Sequence, residues 1–155
     1  MNRKQIECFA KRFFQHPVKI FYLNDLNDDS DGKYLASAHY CYKDNDYQIH
    51  FNRDCLRKRY CRVNKARFLK GCILHEIGHF VIGDVKPRSK RELNTHLWAI
   101  DTAERFGMLS IERSLIKQFK AWEDYEWNGP YRVYKMAYRL SLKNKKLAKK
   151  YGLIN

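Results

Sequence analysis

The chain has 155 residues and is 45% hydrophobic, enough for one domain with its own core. Its 31 Lys/Arg against 17 Asp/Glu give a net charge of +14, which suits an acidic partner such as nucleic acid, an acidic protein or an anionic surface. No apolar run reaches the ~18 residues of a membrane-spanning helix, and the odd number of cysteines, without a C-x-x-C pair, argues against a disulfide framework or zinc ribbon.

The first residues, Met1 to Glu7, start basic but lack an apolar signal core, so a cytosolic chain is expected. Residues 2–15 form an amphipathic pattern with Ile6, Phe9, Ala10, Phe13 and Phe14 on one stripe, and Pro17 as its stop. The β-rich run Val18–Leu23 predicts a strand. Asn24 to Gly32 resembles the start of a calcium loop, but Ala38 stands where a bidentate glutamate is required, and an Asx-rich turn is the better reading. Tyr34–Tyr42 and Tyr47–Asn52 predict two more strands, joined by residues 43–46. His39 and His50 read as lone strand histidines without a ligand-spaced companion.

Residues 54–62 predict a short basic helix, and Asn64 can cap a long helix reaching Ile82, with Gly83 as its stop. A second helix is expected from Ser89 to Phe106, closed by Gly107, and a third over 110–126. The Asn128-Gly129-Pro130 stretch breaks the chain before a basic C-terminal helix over about 131–150. Eight Lys/Arg and no Asp or Glu fall between Gly129 and Asn155, which is either a solvated helix face or a surface for nucleic acid or a DNA-bound protein. The cluster Trp122, Tyr125, Trp127 and Tyr131 reads as core or as a cleft wall.

The long helix carries His75-Glu76-Ile77-Gly78-His79 inside an apolar run. Histidines four apart share a helix face and can hold one metal ion, while the glutamate between them can reach a water at that metal as general base. A catalytic zinc asks for a third protein ligand and an open position. The extended H-E-x-x-H-x-x-G-x-x-H pattern fails, because Ile82 and Val85 occupy its later positions. Glu92, thirteen residues after His79, is the preferred candidate; His96, one turn later, is an alternative, and Asp101 and Glu104 are weaker ones. Ser89-Lys90-Arg91-Glu92 also has the form of a capping box, which would leave Glu92 a backbone acceptor. With Glu92 as ligand, His96 would lie near the metal and could stabilise an oxyanion.

These residues resemble the ImmA/IrrE-type zinc peptidases, small gluzincins in which H-E-x-x-H is followed after a loop by E-x-x-A-x-x-F-A. Here Glu92 and Ala99 match that second half, while Thr95 and Trp98 stand at its other positions, and Ile100-Asp101-Thr102-Ala103 replaces the usual Leu-Leu-Met-Pro-like continuation. The resemblance covers roughly residues 34–106 and is that of a divergent member. It implies Glu92 as third ligand, Zn2+ as cofactor and a sheet edge as the docking place of a peptide, for which strand 47–52 is the guess.

The expected fold is therefore α+β, zincin-like, with a small three-stranded sheet packed on the H-E-x-x-H helix and following helices in a single domain over 1–155. The expected function is a metallopeptidase acting on a cytosolic protein, with regulatory proteolysis in a phage or mobile element implied by the resemblance, using His75, His79 and Glu92 for zinc and Glu76 and His96 for catalysis. The alternative is a nucleic-acid-binding or interaction module with a structural or inactive zincin core; the presence of Glu76 speaks against it, since a structural site has no use for a base.

Overall fold

A computed structural model describes residues 2–23, 36–52, 65–124 and 132–154. The acidic loop after Leu23, the basic stretch expected as a helix over 54–62, the Asn64 cap, and Tyr125, Trp127 and Tyr131 lie outside the described residues. The elements are α1 (Arg3–Lys11), β1 (Val18–Leu23), β2 (Ala36–Cys41), β3 (Asp46–Asn52), α2 (Lys65–Ile82), α3 (Arg88–Arg105), α4 (Leu109–Ala121), a 3-10 turn (Trp122–Asp124), α5 (Arg132–Leu142) and α6 (Lys145–Lys150). The class is α+β, with six helices among the described residues and one mixed three-stranded sheet. Two compact units are present, residues 1–81 and 82–155.

In the first unit the strand order is β1-β3-β2, with β1 parallel and β2 antiparallel to β3. Strand 47–52 is thus central and bonded on both sides, not the edge expected for it. The register sets Ile20 and Ala38 beside Ile49, so one face carries Val18, Ile20, Ile49 and Phe51, all under 9% exposed. The other face carries Lys19, Phe21, His39, Gln48 and His50, in the strict alternation of a two-faced sheet.

The N-terminal helix starts on a capping box, with Asn2 and Gln5 exchanging side-chain bonds to each other's backbone N–H. It stops at Lys11, short of the expected residue 15. Packing decides this: Phe14 leaves the helical path and puts its ring 4.7 Å from Tyr47 of β3 and 5.5 Å from Phe80 of α2. The Tyr47 and Phe80 rings are themselves 4.9 Å apart, so three aromatic rings join the end of α1, β3 and α2.

His39 and His50 are not lone. Their registers place them diagonally across β2 and β3, with ring centroids 4.6 Å apart. Ser37 Oγ lies 2.7 Å from His39 Nε2, and Gln48 Oε1 lies 2.9 Å from His50 Nε2. Burial, and then the neighbouring His39, push the His50 imidazole below its ordinary pKa.

The second unit is built on α3, α4, α5 and α6. Phe119, Trp122, Ala137 and Tyr138 form its core, with Leu93, Leu97, Tyr134, Leu142 and Leu153 packed around them. Trp122 is therefore a core residue. The helix expected over 131–150 is two helices: Asn144 lies between them, and its side chain accepts the Leu147 N–H at 3.2 Å to start α6. Gly83 and Gly107 follow α2 and α3 with φ of +70° and +65°, the left-handed stop the sequence predicts for both.

Candidate metal centre

Helix α2 takes the H-E-x-x-H motif into the interior. Residues 71–78 are all buried, because Cys72, Ile73, Leu74 and Ile77 surround the axis. Rigid burial of this kind fixes the rotamers of the histidines it carries. His75 is 9% and Glu76 7% exposed, and His79 is half-buried.

The His75 and His79 rings meet edge to face at 87°, with centroids 5.0 Å apart. Two imidazoles on one tetrahedral zinc, with Zn–N bonds of ~2.0–2.1 Å, have centroids ~5.2 Å apart. The i, i+4 spacing of α2 thus already holds the rings at ligand separation. One donor atom from each of His75, His79 and Glu92 lies within 4.8 Å of the other two. Two imidazoles and a carboxylate are the donors that zinc accepts, so the residues fit the ion.

Glu92 is 2% exposed on α3. The capping-box reading does not hold: α3 begins at Arg88, its N-cap is Pro87, no side chain caps it, and Ser89 lies inside the helix at 3% exposure. Arg88 Nε is 3.7 Å from Glu92 Oε1, with the Arg88 side chain 56% exposed, so this is a loose, solvent-screened ion pair. At the same end of α3 a shallow cavity of about 630 Å³ is lined by Asp84, Val85, Lys86, Pro87, Arg88 and Arg91. Arg91 is tied to Asp84 at 3.3 Å.

His96 does not belong to the donor group. It is 1% exposed, its Nε2 lies 2.9 Å from the Leu115 carbonyl oxygen, and its ring packs 5.3 Å from Phe119 and 4.6 Å from Trp122. That placement packs His96 against the core of the second unit, one turn after Glu92. Asp101 is likewise engaged elsewhere, accepting from Lys150 Nζ at 2.9 Å and Tyr151 Oη at 2.7 Å; Glu104 pairs with the same lysine at 3.2 Å.

A second donor group, Cys41, Asp44 and Asp46, lies at the β2–β3 turn. Lys19 Nζ already stands 2.5 Å from Asp46 Oδ2, and Gln48 donates to Asp46 Oδ1 at 2.7 Å. Those two bonds hold the Asp46 carboxyl below its ordinary pKa, so the group reads as an ion-paired turn. The sequence offered no sign of it, since it depends on the Cys41–Asp46 register. Among the described residues no helix is long and apolar enough to cross a membrane. No protein-family model, curated protein or solved structure matches this chain.

Proposed function

We propose that the chain is a zinc-dependent metallopeptidase of the ImmA/IrrE type, with a zincin-like arrangement around α2. The observation that carries this reading is the convergence of His75, His79 and Glu92 donors within 4.8 Å, with Glu76 next to His75 on the same buried helix. His75, His79 and Glu92 would hold the ion. Zinc in such a site supplies Lewis acidity, polarising a peptide carbonyl and acidifying water.

Glu76 does the proton work. Its carboxylate removes a proton from the attacking water as the oxygen–carbon bond forms. It then delivers that proton to the leaving amine as the carbon–nitrogen bond breaks, so the glutamate ends as it began. Burial at 7% exposure keeps competing bulk water from this exchange. A peptide aligned by backbone hydrogen bonds would pair with β1 or β2, the outer strands of the sheet, because both sides of β3 are taken. The expected substrate is a cytosolic protein, a regulator being the class that the family resemblance implies.

The deciding measurement is bound zinc together with cleavage of a denatured protein mixture, for wild type, Glu76→Gln and Glu92→Ala. Glu76→Gln should keep its zinc and lose roughly 10²–10⁴-fold in cleavage rate, the usual contribution of a general base. Glu92→Ala should lose both. A wild-type protein that retains no zinc after reconstitution would overturn the enzymatic reading, and zinc retained equally by Glu92→Ala would remove Glu92 from the ligand set.

A further inference from the structure

We propose that α6 and the turn before it form a platform that binds the phosphate backbone of duplex nucleic acid without reading its sequence. The inference is independent of the metal centre and rests on how four lysines are presented.

The break at Asn144 separates two faces of the C-terminal segment. Ala148 is fully buried and Tyr151 is 5% exposed, so one side of α6 is fastened down. Lys150 turns to that side, at 2.9 Å from Asp101 and 3.2 Å from Glu104, and Tyr151 Oη donates to Asp101 at 2.7 Å. Burial, and then the hydrogen bond to Asp101, push the Tyr151 phenol up to about 12, so it remains a donor at any physiological pH. Lys143, Lys145, Lys146 and Lys149 are left on the outward side, all exposed and without an ion pair among the described residues.

Helix stability does not account for these lysines. Lys145 and Lys146 occupy the first turn of α6, where the helix dipole disfavours positive charge. Lys145 and Lys149 are like charges at i, i+4, which weakens a helix further. No Asp or Glu occurs from Gly129 to Asn155 to relieve the repulsion. A polyanion relieves all of it at once by counterion release.

The chemistry of the surroundings selects the polyanion. Membrane-surface helices set an apolar face beside their lysines, whereas Ala148 and Tyr151 of this segment are turned inward and Leu147 is half-buried. Single-strand binders offer aromatic platforms for base stacking, yet among the described residues of this unit Tyr138 and Tyr151 are buried and Tyr134 packs on the core. Point charges without base-reading groups fit the duplex backbone and carry no sequence information.

The test is fluorescence anisotropy of the full chain with two duplexes of unrelated sequence, a single strand of equal length and phosphatidylserine vesicles. Four phosphate contacts predict a slope of log K against log salt near −3.6 from this platform, about a 10²-fold loss of affinity between ~50 and ~200 mM salt. The variant K143Q/K145Q/K146Q/K149Q should lose most of that slope and bind both duplexes equally weakly. The control K4Q/K11Q/K43Q/K90Q, with the same change in net charge, should stay within about threefold of wild type, with circular dichroism confirming that both variants are folded. Equal losses in the two variants, preference for one duplex, or stronger binding to single strands or vesicles would each overturn the proposal, as would no duplex binding by wild type at low salt.

Discussion

Replacing Glu92 by Gln separates the proposed metal ligand from every other use of that residue. Glu92 is 2% exposed, and the amide has the same shape as the carboxylate, so the metal-free variant creates no cavity and should unfold within ~1 kcal/mol of wild type. The difference should appear only with zinc. At a free zinc concentration of ~100 times Kd, a ligand that binds the folded state alone adds ~2.7 kcal/mol. For a chain of 155 residues that is a rise in Tm of about 5–11 °C, at ~2–4 °C per kcal/mol. The variant keeps the two imidazoles with centroids 5.0 Å apart but loses the only anionic donor of the set. If that weakens zinc by ~100-fold, the upper range even for groups that merely support ligands, the same zinc adds only ~0.4 kcal/mol, about 1 °C. Scanning calorimetry of both proteins, first in chelator and then in buffered zinc, reads the two differences directly. An equal zinc shift in wild type and variant would refute Glu92 as a ligand, and a large difference already present in chelator would show that the carboxylate serves packing.

Other outcomes follow from single contacts. His96→Ala removes a ring packed on Phe119 and Trp122 and should cost roughly 2–4 kcal/mol, with zinc affinity unchanged; a tenfold loss of affinity by competition with a chelating dye would restore His96 to the site. Phe119→Ala should cost roughly 3–5 kcal/mol in denaturant unfolding, because the side chain is fully buried at the centre of the second unit's core; a cost under ~1 kcal/mol would contradict that placement. Asn144→Ala should cost about 1 kcal/mol and raise amide exchange in α6, and unchanged exchange there would refute the cap. His50 has a folded pKa below its ordinary value of 6.5, so on acidification the unfolded chain takes up its proton first. The neutral-His50 contribution is therefore intact above that value and drains away as pH falls through it towards the folded pKa. His50→Gln should flatten the fall in Tm between about pH 7 and 5 relative to wild type, and parallel curves would show that His50 contributes nothing.

Local chemistry explains which elements could be read from the residues. The β-rich run Val18–Leu23, the strand over 47–52 and the two stop glycines follow rules of nearest neighbours and needed no tertiary knowledge. So does the His75–His79 face, since helical spacing alone sets the ring separation. The misreadings share another cause, which is pairing between residues far apart. That β3 is central depends on β1 returning to it in parallel, and the meeting of His39 with His50 depends on the β2–β3 register. Phe14 ended α1 early for rings on Tyr47 and Phe80. Ser89 has the residue type of a cap, but Pro87 fixes the start of α3 two residues earlier. Asn144 falls inside the single helix expected over 131–150, although its side chain suits a new N-cap better than a helix interior.

The parallel return of β1 to β3 has a consequence during synthesis. The β2–β3 hairpin, closed by residues 42–45, can form within ~1–10 μs of its emergence. Its partner β1 has by then waited, because residues 24–45 must be made between them, a delay of roughly 1–4 s at ~5–20 residues per second. Through that interval Val18 and Ile20, later under 9% exposed, have no sheet to cover them, and an unpaired β-rich segment is a template for pairing with other chains. Lys19 interrupts this apolar run with a charge, the device that keeps such segments from self-association. The ammonium that meets Asp46 in the finished sheet thus first guards the nascent strand that carries it.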